Sequence, residues 1–121
     1  MADVWTAIET DTLGEPLPLA QDQEKVWVYC SREVWRNHIL THHPEIEALK
    51  DLILSAIANS QTQDVDPEDH RVIRYYIEVP SDRFESRHSL LLRVVVKYVP
   101  PLENDRQRVG LLSSVYLLRK E

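Results

Sequence analysis

The stretch Ser89-Leu-Leu-Leu-Arg-Val-Val-Val-Lys-Tyr98 decides the fold of this chain. Every second residue in it is apolar or aromatic: Leu90, Leu92, Val94, Val96 and Tyr98. The opposite face carries Arg93 and Lys97 among two apolar residues, Leu91 and Val95. Because successive side chains of a strand point to opposite faces, this pattern predicts a β-strand with one face buried and the other half polar.

Three other stretches also predict strands. Residues 72–79 alternate in the same way, with one face made of Ile73, Tyr75, Ile77 and Val79. Residues 110–119 return as the last strand, and residues 25–30 are rich in the β-branched and aromatic types that favour a pleated surface. Strands that follow one another in the chain usually pair. The strands over residues 72–79, 89–98 and 110–119 therefore predict an antiparallel meander.

Two helices are predicted between the first strand and the meander. Ser31 can cap a helix in which apolar residues recur at helical spacing. Pro44 ends that helix at His43 and begins a second helix, which continues to about residues 59–60. The acidic stretch 61–70 is expected to be a loop. Together these elements predict an α+β domain with two helices packed on the meander.

The composition limits the class of protein. The chain has 121 residues, the length of one domain. Its single cysteine, Cys30, excludes an internal disulfide and favours a reducing, cytoplasmic setting. No apolar run reaches the ~18 residues of a membrane span, and the acidic N-terminus is unlike a secretory signal, so we expect no membrane association.

The net charge of −6 is unevenly distributed. Residues 1–70 contain 4 basic and 14 acidic residues, whereas residues 71–121 contain 10 basic and 6 acidic residues. Residues 1–24 alone contribute −6 and are expected to form a partly irregular acidic arm, followed by a single domain over residues 25–121. A chain with two such unequal halves points to a charged partner.

Three histidines lie close together on the first predicted helix. His38 and His42 are four residues apart, and His43 follows directly. These side chains could border the core, bind a metal ion through the His-x-x-x-His spacing, or transfer protons. The protease-type glutamate between the histidines is missing and no second ligand pair exists, so we expect neither a metal ion nor another cofactor.

Cations and hydroxyls on the predicted strands form a second group of candidates. Arg93 and Lys97 share one face, and Arg74 can occupy the matching face of a neighbouring strand. Cations that project from adjacent strands can converge on a phosphate group. Ser114 interrupts an apolar run in the last strand, and its hydroxyl needs a hydrogen-bond partner if it is buried.

The helix that contains these histidines resembles a known family. Its sequence, from Trp35 through His38-Ile39 to His42-His43-Pro44-Glu45, is similar to a motif of phage-associated nucleases in the barnase, EndoU, colicin and RelE-like superfamily. The order of the later strands is also similar, and the resemblance covers roughly residues 25–119. It implies a RelE/barnase-like fold in which two N-terminal helices pack on a curled antiparallel sheet of about four strands.

The resemblance also implies metal-independent cleavage of RNA by attack of the 2′-hydroxyl, in the manner of a toxin-type effector. The acid/base roles would fall on His38, His42 or His43. The charge of the transition state would be stabilised by a cation, one of Arg74, Arg93 and Lys97. Ser114 would orient a phosphate oxygen. The residues expected to hold the RNA, the tyrosines by stacking on its bases, are Arg74, Tyr75, Tyr76 and Tyr116.

A second interpretation stays open. The chain would then be a catalytically inert protein-interaction module of the same fold. Its partners would be an inhibitory protein or a second copy of the chain rather than RNA.

Overall fold

The computed structural model describes residues 3–83, 89–99 and 108–119. They form an α+β structure with one mixed sheet in the order β1-β2-β6-β5-β4-β3. The six strands are β1 (Leu17–Gln21), β2 (Trp27–Cys30), β3 (Thr62–Val65), β4 (Val72–Val79), β5 (Leu90–Val99) and β6 (Val109–Arg119). The sheet therefore has two more strands than expected, and it is neither closed nor strongly curled.

The predicted meander is confirmed at the centre of the sheet. β4 pairs antiparallel with β5 over the whole length of β4, and β5 pairs antiparallel with β6 over the whole length of β5. The core face of β5 is buried at every second residue from Leu92 to Tyr98, as the alternation predicts, while Leu90 is partly buried. A bulge at Val95/Val96 shifts the register, so that Ser114 pairs with Val95 while Leu112 pairs with Val96.

The partly irregular arm expected over residues 1–24 is more regular, in its described part, than the sequence indicates. Within residues 3–24 the chain forms helix α1 (Val4–Thr10), which Asp3 caps, and then the edge strand β1. Trp5 and Ile8 of α1 belong to the hydrophobic core. The acidic residues of this segment had suggested an irregular arm, but its few apolar side chains supply enough buried area to dock it.

The expected loop over residues 61–70 is the first correction. Its first part forms β3, which pairs antiparallel with β4 at the other edge of the sheet. All four residues of β3 are exposed, which explains why no hydrophobic alternation marks the strand in the sequence. Pairing with a neighbouring strand, rather than burial, gives this segment its structure.

β2 and β6 run parallel, so the sheet is mixed and not wholly antiparallel. They pair only at Val28 with Gly110 and at Tyr29 with Leu111. A Cβ atom on Gly110 would lie 2.8 Å from Val96 Cγ1, which makes this close approach dependent on glycine. The rest of β6 is left without a β2 partner on this side.

The two predicted helices occur, but with different geometry. The first contains a π-helix (Val34–Leu40), and Ser31 Oγ accepts from Val34 N at 3.2 Å at its start. A 3-10 helix begins at Pro44 and leads into helix α2 (Lys50–Asn59). The predicted boundaries at Pro44 and near residues 59–60 are confirmed. None of the described helices is long and apolar enough to cross a membrane.

The core lies between the helices and one face of the sheet. Trp35, Ile53 and Val94 are each completely buried there, and α2 contacts β1, β4 and β5. The other face of the sheet is only half-buried. We call it the open face, and its central residues are Arg74, Tyr76, Leu91, Arg93, Val95, Lys97 and Tyr116.

Candidate functional site

His38 of the π-helix, the two histidines that follow this helix, and the middle of β6 form one groove. We call it the histidine groove, and it is an open depression of about 320 Å³. Its lining residues are His38, Ile39, His42, His43, Ser114, Val115 and Tyr116. The structure thus brings together five residues that the sequence analysis proposed as functional from two separate stretches.

The position of the groove follows from the short pairing of β2 with β6. Because β2 ends at Cys30, β6 has no β2 partner beyond Leu111. The chain continues from β2 into the π-helix, which packs beside this free part of β6. Trp35 and Ile39 anchor the helix in the core, so its remaining face lies over the strand.

The helical segment changes its hydrogen-bond spacing between the first histidine of the groove and the other two. The hydrogen bonds of a π-helix connect residues five apart, whereas those of an α-helix connect residues four apart. The hydroxyl of Thr41 likewise donates to the carbonyl oxygen of Arg36, five residues earlier, at 2.8 Å. His42 and His43 follow the π-helix, and the amide of His43 donates to the carbonyl oxygen of Ile39, only four residues earlier, at 2.8 Å. The groove thus combines one histidine of the π-helix with two that follow it.

The groups in the groove are close enough to act together. His38 Nε2 lies 3.4 Å from Ser114 Oγ, and the rings of His38 and His42 are 5.8 Å apart. The ring of His43 meets the ring of Tyr116 edge to face at 5.3 Å. His43 Nδ1 also lies 3.6 Å from a carboxylate oxygen of Glu45.

Arg93 lies beside the groove but does not line it. On the open face it is paired directly with Tyr116 of β6 and with Tyr76 of β4. Its guanidinium carbon lies 5.4 Å from the centre of the Tyr76 ring. Arg93 Nε is buried without a hydrogen-bond partner, and no ion pair to Arg93 occurs within residues 3–83, 89–99 and 108–119.

The row from Tyr116 through Arg93 to Tyr76 continues to a carboxylate. The hydroxyl of Tyr76 donates to Asp64 Oδ2 at 3.1 Å, and Arg74 Nε donates to Asp64 Oδ1 at 2.5 Å. The hydrogen bond from Arg74 lowers the pKa of the Asp64 carboxyl. Arg74 is therefore neutralised by a close ion pair and lies two strands away from the groove.

Lys97 occupies the open face farther along β5. It pairs across the sheet with Leu111, whereas the groove begins at Ser114. Lys97 Nζ lies 3.8 Å from Asp69 Oδ2, and the same carboxylate receives two hydrogen bonds from Arg71. The structure thus separates Lys97 from the histidines, although the sequence analysis placed both in one catalytic group.

Tyr75 is a second correction, since it cannot stack on a base at the open face. Its side chain is 4% exposed and points into the core, where its hydroxyl lies 2.5 Å from that of Tyr98. The alternation of β4 already separates Tyr75 from Tyr76, because consecutive residues point to opposite faces. Only Tyr76 shares the face of Arg93.

In the part of the chain that the structure describes, no set of ligands supports the hypothesis of a metal site. No group of three or more histidine, cysteine, aspartate or glutamate side chains is arranged there to hold a metal ion.

Sequence reasoning did not find four residues at the far end of the open face, Lys25, Trp27, Tyr29 and Arg108. All four line a second groove of about 280 Å³. Trp27 and Tyr29 alternate with the buried Val28 and Cys30, so strand periodicity would have placed both aromatic rings on the face opposite the core. No pattern in the sequence indicates that Arg108 lies beside Trp27 and Tyr29.

Comparison of the chain with protein-family models, with curated proteins and with solved structures finds no significant match in any of the three. Membership of the nuclease superfamily therefore stays a prediction that the residues of the site must support.

Proposed function

We propose that this chain is a metal-independent ribonuclease-like domain that cleaves RNA by attack of the 2′-hydroxyl. The observation that carries the proposal is the meeting of His38, His42 and Ser114 in one open groove. Two imidazoles and a hydroxyl are the groups that a proton-transfer reaction at a phosphate needs. The open face beside them offers Arg93, a cation outside any described ion pair, and two tyrosines.

The reaction assigns one step to each of the two histidines. One imidazole removes the proton from the 2′-hydroxyl as the oxygen attacks the adjacent phosphorus. The bond from phosphorus to the 5′-oxygen then breaks, and the other imidazole gives its proton to that leaving oxygen. The products are a 2′,3′-cyclic phosphate and a 5′-hydroxyl. Histidine suits both steps because imidazole takes up and releases a proton near neutral pH.

Ser114 and Arg93 would stabilise the negative charge that grows on the phosphate oxygens. The Ser114 hydroxyl lies in the groove next to His38. Arg93 pairs across the strands with Tyr116, a lining residue of the groove, and forms no ion pair among the described residues, although its charge also acts on Asp64 at longer range. A guanidinium can give two parallel hydrogen bonds to a phosphate, so a short movement of this long side chain suffices.

Tyr116 and Tyr76 would hold the RNA on either side of Arg93. Tyr116 is 37% exposed, and its ring borders the groove. Bases of single-stranded RNA commonly stack on aromatic side chains. Arg74 and Lys97 would contribute to the attraction of RNA, although Asp64 and Asp69 reduce their effective charge.

The proposal also includes the fold, the cellular compartment and the inhibitory partner that the resemblance implies. The fold would be a flattened relative of the RelE/barnase-like fold with added edge strands. The chain would act in the cytoplasm, where the buried thiol of Cys30 remains reduced. A toxin-type effector of this class would need an inhibitory protein partner, which could cover the groove.

The alternative is a catalytically inert interaction module of this fold, whose partner is an inhibitory protein or a second copy. One observation favours it: the lining of the histidine groove contains no lysine or arginine. The half-exposed apolar residues of the open face, Leu91 and Val95, would then contact the partner.

A cleavage assay decides between these functions. Purified protein is incubated with total RNA in EDTA, and the ends of the fragments are analysed. We expect fragments with cyclic phosphate ends from the original chain. The variant with His38→Ala and His42→Ala should lose this activity, because each acid/base group contributes about 10²–10⁴-fold to such a rate. His70→Ala is the matched control, since His70 is exposed and outside the groove.

Circular dichroism of each variant shows whether the fold is kept. Equal cleavage by the double variant and the original chain would rule out the catalytic assignment. Absence of cleavage by the original chain, together with a partner or dimer that protects the groove, would establish the inert module instead.

A further inference from the structure

The groove at the far end of the open face has the chemistry of a nucleotide-binding site. We call it the Trp27 groove, and its main lining residues are Gln21, Lys25, Trp27, Tyr29, Arg108 and Val109. Two aromatic rings and two cations line it, and no carboxylate does. In a chain with 20 acidic and 14 basic residues, such a lining is unusual.

Trp27 is exposed in a way that the other tryptophans are not. It is 41% exposed, whereas Trp5 and Trp35 are 4% and 0% exposed. Single exposed apolar residues are common on protein surfaces and need no explanation. Here, however, Tyr29 lies two residues along the same face of β2, so two rings project from one edge of the open face. Both are accessible for base stacking.

The two cations of this groove are free of ion pairs. Neither Lys25 nor Arg108 lies within 4.0 Å of a carboxylate in the described part of the chain. Arg108 lies over the ring of Tyr98, 4.6 Å from its centre. Lys25 occupies a turn with a positive φ of 66°, which fixes the direction of its backbone.

The carboxylate of Asp22, near the groove, is held by hydrogen bonds within its own turn and with Tyr98. Asp22 Oδ1 accepts from the amides of Glu24 and Val26, and Asp22 Oδ2 accepts from the hydroxyl of Tyr98 at 2.8 Å. Asp22 and Glu24 line a neighbouring pocket, which Arg108 also lines, so Arg108 lies between this pocket and the Trp27 groove. Lys25 lines only the Trp27 groove, and neither cation is held in an ion pair among the described residues, so both can contact an anion.

The Trp27 groove and the histidine groove both include residues of the open face, Trp27 and Tyr29 in one and Tyr116 in the other. The cross-strand pair of Val99 and Val109 lies beside the Trp27 groove, and the pair of Arg93 and Tyr116 lies beside the histidine groove. These two pairs are six residues apart along β5, which corresponds to about 20 Å at ~3.4 Å per residue. Lys97 lies between them on the same strand face.

We propose that the Trp27 groove is a second RNA-binding subsite, in which a base stacks on Trp27 and Lys25 and Arg108 contact a phosphate. The proposal rests on the proposed function, because it takes RNA as the substrate. A single strand would run along β5 and β6 from the histidine groove, past Lys97, to Trp27. The site would thus select RNA long enough to reach both grooves.

Binding of an uncleavable strand tests the subsite separately from catalysis. The probe is a fluorescein-labelled uridine hexamer with 2′-O-methyl groups, which lacks the attacking hydroxyl, and the readout is anisotropy. We expect Trp27→Ala to weaken binding about tenfold, since stacking of one base on an aromatic side chain has an effect of this order. Trp27→Phe should keep most of the affinity, because it keeps a ring.

Leu13→Ala is the matched control, because Leu13 is 79% exposed and lies outside both grooves. The salt dependence tests the cations. Each lost phosphate contact should reduce the slope of log K against log salt by about 0.7 for a single strand. We expect this for Lys25→Ala and for Arg108→Ala.

Three outcomes would overturn the proposal. The first is an unchanged affinity of Trp27→Ala for the hexamer. The second is binding of uridine monophosphate as tightly as the hexamer, which would indicate a site for a free nucleotide. The third is a dimer of the original chain that Trp27→Ala converts to a monomer in sedimentation. The absence of RNA cleavage would contradict the proposed ribonuclease function but would not change the binding of the uncleavable hexamer. The two proposals can therefore be contradicted separately.

Discussion

His38 Nε2 and Ser114 Oγ lie 3.4 Å apart, although the two residues are separated by 76 positions in the sequence. This contact joins the π-helix to the free part of β6 and defines the floor of the histidine groove. Catalytic hydrogen bonds are often long before the substrate binds, so the distance suits a pair that tightens around a phosphate.

The first prediction concerns the hydroxyl of Ser114. Ser114→Ala should lower RNA cleavage by about 10²-fold, the size of effect seen when one donor to a developing oxyanion is removed. Ser113→Ala is the control, because Ser113 is exposed next to it but does not line the groove. Single-turnover rates measure both variants. Equal rates for the two would show that Ser114 does not contact the phosphate.

The second prediction concerns the ion pair of Arg74. Asp64→Asn should strengthen binding of single-stranded RNA, because it releases the guanidinium of Arg74 on the open face. Asp51→Asn removes an equivalent acidic charge from the pair with Arg83, which lies on the helical side of the molecule. We expect it to change RNA affinity less than Asp64→Asn. Anisotropy at low salt measures the difference, and equal effects would indicate that only net charge matters.

The third prediction concerns Gly110 of β6, which packs closely against side chains of β5 and β2. Gly110→Ala should lower the free energy of unfolding by about 1–3 kcal/mol, because its Cβ would meet Val96 and Tyr98 inside the core. Gly14→Ala is the comparison, since Gly14 has a positive φ of 69° but open space around it. Urea unfolding measures both changes. A larger loss of unfolding free energy in Gly14→Ala than in Gly110→Ala would mean that backbone strain at Gly14 outweighs the steric contact at Gly110.

The fourth prediction concerns the carboxyl of Asp69. The hydrogen bonds from Arg71 lower its pKa to about 2. Because the folded pKa is depressed, the stabilisation from this pair is present above the unfolded value of ~3.9 and is lost as the pH falls through about 2. NMR titration should show the low pKa. It should rise in Arg71→Ala and stay unchanged in Arg74→Ala, whose partner is Asp64.

The fifth prediction concerns the reactivity of Cys30. Burial raises the pKa of its thiol to about 12, so almost no thiolate exists at pH 8. The folded protein should therefore resist alkylation by iodoacetamide at pH 8. The same protein in concentrated urea should react fully, as mass spectrometry will show. Rapid labelling without denaturant would contradict the buried position of Cys30.

The sequence by itself determined the elements whose signals are local. Alternation over residues 72–79, 89–98 and 110–119 specified three strands, because period-two burial leaves a direct trace in the order of side chains. Ser31 and Pro44 specified where the helical segments begin, since capping and the missing proline amide act on neighbouring residues.

Only the tertiary structure decided the edges of the sheet and the composition of the two grooves. β1 and β3 have weak hydrophobic patterns and depend on pairing with β2 and β4. The sequence proposed His38, Ser114 and Lys97 as one group, but strand register set Lys97 apart and left Ser114 with the histidines. The alternating pattern specifies which residues of a strand face the core, but the bulge at Val95/Val96 and the parallel pairing of β2 with β6 arise from contacts between residues far apart in the chain.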